Sequence, residues 1–335
     1  MKLRRLEQIL DRAPAKRLLV IGDLMLDEFV WGKVGRISPE APVPVIQVTG
    51  ESFVPGGAAN VARNLREFTK RVSVAGMIGH DHSGDQLREL LAKEKIRTLN
   101  STANNNFRTI VKTRIIARHQ QVVRVDREQI ASPSREQLKK IVADVEKQIA
   151  KIDAVIFEDY GKGFLSDELV AQVTKAARAQ GKIVTADPNA TRLLNWRGLT
   201  AVKPNRTEAF LAAAIPCRDA IESPERDVDL ARVGKTLLRR WDAQNVLITL
   251  GEQGMMLFQR GQSPHHIPTK ARQVFDVSGA GDTAIALFTL ALACDATPLE
   301  AAEIANHASA VVVGKLGTAT VTREELVASF RDDAD

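Results

Sequence analysis

The chain has 335 residues, 44% apolar and 26% charged, with ordinary Gly and Pro usage, which suits a compact globular protein and disfavours disordered or fibrous classes. Its formal charge of +6 comes from 47 Lys and Arg spread among 41 Asp and Glu, with no basic run interleaved with aromatics; anionic small ligands are therefore expected and nucleic acid is not. The N-terminus MKLRRLEQILDRAPAKR lacks the apolar core of a signal peptide, and the longest apolar stretch, Ala284 to Cys294, is too short to cross a bilayer, so no membrane partner is expected and a cytoplasmic location follows.

Arg17 to Ile21 (RLLVI) is a continuous apolar run ending in Gly-Asp, the pattern of a buried strand that delivers Asp23 to its carboxyl end. Glu28 to Val54, containing SPEAPVPVIQV, is predicted as β-structure that its prolines place at an edge or in a projecting ribbon. PGGAANVARN (Pro55 to Asn64) reads as a glycine turn entering a helix, followed by a strand at Val72 to Ile78 and a helix at Asp85 to Lys95. Phe107 to Arg127 alternates with period two at Ile110, Lys112, Arg114 and Ile116, and with the earlier ribbon it predicts a small β-lid. Strands at Ala154 to Phe157, Ile183 to Ala186, Ala201 to Val202 and Val246 to Leu250 then alternate with helices at Arg135 to Lys151, Asp167 to Gln180 and Asp229 to Trp241. Two helices close the pattern, Thr283 to Cys294 and Leu299 to Val313. Such alternation predicts an α/β fold with a doubly wound, mostly parallel sheet covered on both faces, in one domain over residues 1–335, with the lid drawn from about 28–54 and 107–127. Cys217 and Cys294 are expected to be reduced and buried, and the adjacent His265 and His266 read as a polar loop, not a metal site.

The most informative stretch is DVSGAGDT (Asp276 to Thr283), which enters an apolar helix. Gly279 and Gly281 would let the backbone approach a phosphate, and the amides of a helix start offer an anion hole. A carboxylate facing a triphosphate is repelled by it, so Asp282 makes sense as the base that takes a proton from the attacking hydroxyl. Two other readings stand beside this one. The first is a tight turn with Asp282 capping its helix. The second is the G-x-G-x-x-A dinucleotide fingerprint, which GAGDTA matches without the second strand and ribose-binding acid that such a site needs.

Gly56 and Gly57 would admit a sugar against the backbone, with Asn60 bonding its hydroxyls, unless the segment is a plain turn with Asn60 on a helix surface. Asp23 and Asp27, in GDLMLD, would accept bonds from vicinal hydroxyls, or one of them is a capping residue. In KPNRTE, Asn205 and Glu208 share a helix face where they would hold hydrated Mg²⁺, or they form an N-cap with its capping-box acid. TLGEQG (Thr249 to Gly254) suits a nucleotide's ribose or phosphates, or is a turn into a strand at Met255 to Phe258. Gly234 to Thr236 spell GKT in mid-helix, without the earlier glycine of a Walker loop.

PGGAAN, KPNRTE, TLGEQG and DVSGAGDT, in that order, resemble the motif set of the ribokinase family, also called the PfkB carbohydrate kinases, and the likeness runs over essentially the whole chain. Within that family, GDLMLDEFVWGKVGRISPEAPVPVIQV is similar to the kinase domain of the bacterial D-glycero-β-D-manno-heptose-7-phosphate kinases. The resemblance implies a doubly wound sheet with a β-lid, ATP and Mg²⁺ as cofactors, and phosphorylation of the heptose 7-phosphate anomeric hydroxyl on the way to ADP-heptose and the lipopolysaccharide core. A kinase of another sugar or sugar phosphate, or a non-catalytic sugar-phosphate sensor, are the alternatives.

By the same resemblance Asp282 is the base, with Gly279, Ala280 and Gly281 forming the anion hole. Asn205 and Glu208 would serve Mg-ATP, Thr249, Gly251 and Gly254 would line the nucleotide, and Asn306 would lie near the adenine. Asp23, Asp27, Gly56, Gly57, Asn60 and Glu158 would surround the sugar. Lys162 in YGKG and Lys112, Arg114 and Arg124 of the lid would reach its distal phosphate. The family often has Thr where this chain has Val277 and Ser278. Many relatives carry an adenylyltransferase domain after the kinase, and an end near Asp335 reads as the stand-alone form. The exposed, proline-bearing ribbon predicts a homodimer through the lid.

Overall fold

The computed structural model describes residues 1–99, 107–117, 120–189, 191–271 and 274–331; positions 118–119 of the predicted ribbon lie outside the described residues. From the N-terminus, α1 (Leu3–Leu10) leads into β1 (Arg17–Gly22), the long pair β2 (Leu24–Ile37) and β3 (Pro44–Gly57), α2 (Ala58–Arg66), β4 (Arg71–Ala75), α3 (His82–Lys93) and β5 (Arg97–Leu99). There follow β6 (Ile110–Ala117), β7 (Gln120–Arg127), α4 (Arg135–Ile149), β8 (Ala154–Glu158), α5 (Asp167–Arg178), β9 (Ile183–Asp187), β10 (Ala201–Val202) and α6 (Arg206–Ala213). The remainder is α7 (Val228–Arg240), β11 (Asn245–Thr249), β12 (Met255–Gln259), β13 (His265–Ile267), α8 (Ala280–Ala293), α9 (Pro298–Val313) and α10 (Arg323–Arg331).

Nine of these strands form one sheet in the order β13-β12-β11-β10-β9-β8-β1-β4-β5, parallel throughout except for β12, which runs against both neighbours. The apolar runs are continuous because both faces are covered. Leu18 and Val20 of β1 pack with α2, α8 and α9, whereas Leu19 and Ile21 pack with α4 and α5 on the opposite face. Helix α8 is buried on every side from Asp282 to Ala293, which explains its uniformly apolar sequence. Among the described residues no helix is long and apolar enough to cross a membrane.

The lid is a second sheet in the order β3-β2-β6-β7, with β2 and β6 parallel and the outer pairings antiparallel. Only Asp23 separates Gly22 from the start of β2 at Leu24, so a single chain segment passes from the centre of the main sheet into the lid. Its first half is buried and its second half exposed. Pro44 opens β3, an edge strand, where a missing donor is tolerated.

Several boundaries differ from the sequence reading. Helix α8 begins at Ala280 instead of Thr283, because Gly279 takes φ 81° and serves as N-cap without any side-chain bond. Helix α3 begins at His82, since Asp81 caps it by accepting from Gly84 N at 2.8 Å. Cys217 is exposed, against the expectation that it is buried; Cys294 is buried, and burial pushes its thiol up to about 12.

Candidate active site

Strand order reverses direction around β1, whose neighbours are β8 and β4, and in such sheets ligands bind outside the carboxyl ends at the crevice so formed. That end carries Asp23 after β1, Glu158 closing β8, Asp187 closing β9, and Lys203 just past β10. Helix α8 points its N-terminus into the same space.

The turn before α8 is fixed by Asp276, whose two carboxylate oxygens accept from Ser278 N at 2.9 Å and Gly317 N at 3.1 Å. A Cβ on Gly279 would stand 2.9 Å from Asn60 Nδ2 and 3.0 Å from Thr318 Cγ2, so space and positive φ both demand glycine there. Ala280 N donates to Val277 O at 3.3 Å, whereas among the described residues the amides of Gly281 and Asp282 have no backbone acceptor. Asp282 does not cap the helix. Its Oδ2 accepts from Asn60 Nδ2 and its Oδ1 from the Tyr160 hydroxyl, both at 2.7 Å. Burial pushes this carboxyl up to about 6, against the lowering effect of those two donors.

The floor is acidic. Glu158 is held well above the carboxylate range by burial and by neighbouring carboxyls, and its Oε2 has no partner among the described residues. Burial raises Asp159 to about 6 and Asp187 to about 7, although Lys203 Nζ lies 2.8 Å from Asp187 Oδ2. Lys203 is the one lysine or arginine buried among the described residues. Burial opposes its charge, but Asp187 more than compensates and raises its proton affinity.

Two cavities meet here. One, of about 640 Å³, is lined by Glu158, Asp159, Tyr160, Asp187, Lys203 and Asp282, with Asn205 and Glu208 on its rim. The other, of about 460 Å³, has more apolar walls, including Val274, Val277, Ala284 and Val313, together with Gly254, Asn306 and Ser309. Thr249, Gly251, Val277 and Gly281 border both. A Cβ on Gly281 would meet Lys203 Nζ only at 3.6 Å, so the backbone there is open to a ligand.

The residues singled out from sequence fall into three groups. Gly279, Ala280, Gly281, Asp282, Glu158, Asn205, Glu208, Thr249, Gly251, Gly254 and Asn306 all border the cavities. Asn205 and Glu208 do so as a reciprocal capping box, with Glu208 N donating to Asn205 Oδ1 at 2.9 Å and Asn205 N donating to Glu208 Oε2 at 2.8 Å. Asn306 donates to Pro268 O at 2.7 Å.

A second group supports the site from behind. Asn60 reaches Asp282, so it is no surface residue. Asp23 accepts from the backbone N–H groups of Tyr160, Lys162 and Phe164 at 3.0, 3.0 and 3.2 Å; its carboxyl pegs the loop after β8. Gly56 and Gly57 let β3 pass close to Asp27 and Asp23, and Gly57 has φ 59°. Lys112 places Nζ 5.2 Å from the centre of the Tyr160 ring.

The third group is engaged elsewhere. Asp27 pairs with Arg114 at 2.5 Å, Lys162 with Glu128 at 2.7 Å, and Arg124 makes two bonds of 2.9 Å to Asp126 on the exposed strand β7. Sequence reading passed over Tyr160, Asp159, Asp187 and Lys203. Their signal was position: EDY, ADPN and VKPN each sit where a strand ends.

Residues 15–325 match the pfkB family carbohydrate kinases. Bifunctional protein HldE of Desulfatibacillum aliphaticivorans is 42% identical over 316 residues, covering 94% of this chain and 63% of that protein. Bifunctional protein HldE of Geobacter sulfurreducens is 41% identical over 330 residues, covering 98% of this chain and 66% of that protein. The chain thus spans slightly less than two thirds of the length of these relatives. Phosphofructokinase-2 from Escherichia coli in complex with potassium shares the fold with a TM-score of 0.76 and 18% identity, over 96% of this chain and 100% of that one. Arabidopsis thaliana ribokinase complexed with ribose and ATP does so with a TM-score of 0.68 and 22% identity, over 95% and 99%. On the match over residues 15–325 and identities near 40%, the chain belongs to the pfkB family of carbohydrate kinases and is a sugar kinase.

Proposed function

We propose that the chain transfers the γ-phosphoryl group of ATP to the anomeric hydroxyl of D-glycero-β-D-manno-heptose 7-phosphate, giving heptose 1,7-bisphosphate and ADP in ADP-heptose and lipopolysaccharide core biosynthesis. The observation that carries the reaction type is the placement of Asp282, a buried carboxyl in the first turn of α8 beside two confluent cavities with unlike walls. The choice of sugar is supported by the Gly22 to Val48 segment and by the HldE relatives.

In this reading the adenosine lies beside Asn306, Thr249, Gly251 and Gly254, and the triphosphate crosses the Gly279–Gly281 turn toward Lys203. The sugar enters near Asn60 and Glu158, beneath the lid. Asp282 accepts the hydroxyl proton as the new oxygen–phosphorus bond forms and the bond to the ADP oxygen breaks. A carboxyl raised to about 6 is ionised at neutral pH yet more basic than an ordinary aspartate. Lys203 and the amides of Gly281 and Asp282 offset charge on the migrating group.

Asn205 and Glu208 fit a hydrated magnesium ion: they are hard oxygen donors on the rim of a cavity where Glu158, Asp159, Asp187 and Asp282 face one buried lysine. Bound there, magnesium would supply neutralisation of phosphate charge. The lid would exclude water from the transfer.

One observation favours a second reading, a family kinase acting on a neutral sugar. Of the cations proposed for the distal phosphate, Arg114, Arg124 and Lys162 already hold carboxylate partners, and Lys112 is left. ADP-release assays with heptose 7-phosphate, a hexose 6-phosphate and neutral sugars separate the two; preference for a neutral sugar defeats the heptose phosphate proposal.

Residues 1–335 would act as one kinase domain in the cytoplasm, beside its ATP supply. The lid's edge strands β3 and β7 carry exposed Val48, Val122, Val123 and Val125, which supports a homodimer through the lid. A monomer mass by light scattering would remove that part.

A further inference from the structure

Tyr160 is the chain's single tyrosine, and contacts from three elements converge on it. Its hydroxyl donates to Asp282 Oδ1 at 2.7 Å, its backbone N–H to Asp23 Oδ2 at 3.0 Å, and Lys112 Nζ on lid strand β6 stands 5.2 Å from its ring centre. We infer that Tyr160 is a positioning residue of the phosphoryl transfer, orienting the Asp282 carboxyl and coupling that orientation to the lid through Lys112.

The geometry requires a second donor. The terminal torsion of an aspartate has broad wells, so one hydrogen bond leaves the carboxylate plane free to rotate. Asn60 holds Oδ2 and Tyr160 holds Oδ1, and together they fix the plane. Tyr160 is not itself a base, because burial and the Asp282 charge keep its hydroxyl protonated far above neutral pH. It remains a donor across the working range.

The lid side rests on Lys112. Among the described residues it forms no ion pair; burial lowers its proton affinity, the charges of Asp27 and Asp126 offset part of that, and the Tyr160 ring is the contact its ammonium makes outside the lid. Lys112 lies opposite Asp27 in the β2–β6 register, so movement of that sheet shifts the ammonium against the ring. Asp23 keeps the ring's backbone stationary meanwhile.

The groups facing Asp282 are Asn60 from α2, Glu158 and Tyr160 at the end of β8, Asp187 of β9 and Lys203 beyond β10. Tyr160→Phe alters one of these and keeps the ring. The inference rests on Asp282 as the base, and the test keeps the two apart.

Tyr160→Phe, Lys112→Gln, the combined variant and Asp282→Asn would be assayed in the full chain by ADP release, from pH 5 to 9, with the best sugar of the panel. Using one sugar for all variants cancels the ionisation of its own phosphate. Tyr160→Phe is expected to lower kcat ~10-fold or more with KM for ATP unchanged, and to move the acid limb upward by about one pH unit, because a donor to the ionised carboxyl is lost. Lys112→Gln is expected to lower kcat too, and the combined variant to lose no more than Tyr160→Phe alone. An acid limb that stays at the wild-type position, or losses that multiply in the combined variant, overturns the inference. If Asp282→Asn is inactive while Tyr160→Phe behaves as wild type, the inference alone fails; near-normal turnover by Asp282→Asn removes the base and the inference together.

Discussion

Replacing Asp282 with asparagine should lower turnover by ~10²-fold or more and, at alkaline pH, make the protein more stable. The kinetic side follows from the loss of a positioned base, which contributes ~10² to 10⁴ in rate, or about 3–5 kcal/mol. ATP binding should persist, since side-chain size and the turn's amides are kept. The stability side follows from the rise of this carboxyl from 3.8 in an exposed chain to about 6 in the fold. A raised value means that the folded protein holds the proton more tightly than the unfolded chain. Its stabilising effect is therefore complete below about 3.8 and is lost as pH rises through 6, on the order of 3 kcal/mol.

Asparagine has no such loss, but its amide must meet one of two donors, Asn60 Nδ2 or the Tyr160 hydroxyl, which costs about 1 kcal/mol. Near pH 8 the variant should thus be more stable by about 1–2 kcal/mol, a rise in Tm of a few degrees, and the advantage should vanish near pH 4.5. Calorimetry of the unliganded protein at the two pH values, beside single-turnover assays, measures both effects. A variant that melts below wild type at pH 8 refutes the burial argument, and one that turns over normally removes Asp282 from the mechanism.

Gly279→Ala should cost about 1–3 kcal/mol and depress kcat at least ~10-fold, because the new methyl meets Asn60 Nδ2 at 2.9 Å on a backbone with φ 81°; chemical denaturation and steady-state assays check it. Lys203→Met should leave Asp187 as an uncompensated buried acid. Since that carboxyl already titrates at about 7 with the lysine present, the loss of about 3–5 kcal/mol should appear in urea titrations above pH 7 and shrink below pH 6, where Asp187 is protonated. Lys112→Ala should raise KM for a phosphorylated sugar at least ~10-fold with little change for a neutral one, whereas Arg124→Ala, half-exposed and paired to Asp126, should alter neither by more than about twofold.

The main sheet was legible because strands covered on both faces leave an unbroken apolar signature, as in RLLVI and AVIF. The lid was legible from its alternation and its prolines. Helix α1 was passed over: three arginines and lysines dilute the signal at Lys2, Arg4 and Arg5, although Leu6, Ile9 and Leu10 share one buried face. The anion turn could be read from glycine spacing, but the partners of Asp282 could not, since Asn60 and Tyr160 are 222 and 122 residues away along the chain. Asp23 shows the same limit. A carboxylate after a strand suggests a ligand, and only the return of residues 160–164 reveals that backbone amides occupy it.

The strand pair β2–β3 runs from the crevice to the lid tip without interruption, and its register slips only beyond Trp31, at Trp31/Gly32 and Val34/Arg36. Such bulges are where a ribbon bends. The inner half, Asp27 and its neighbour Lys112 included, therefore moves as one stiff lever pivoting at Asp23, and the outer third adds a bend of its own. Substitutions at positions 33–46 should alter the bend of the outer ribbon while leaving the fulcrum, and the chemistry beside it, untouched.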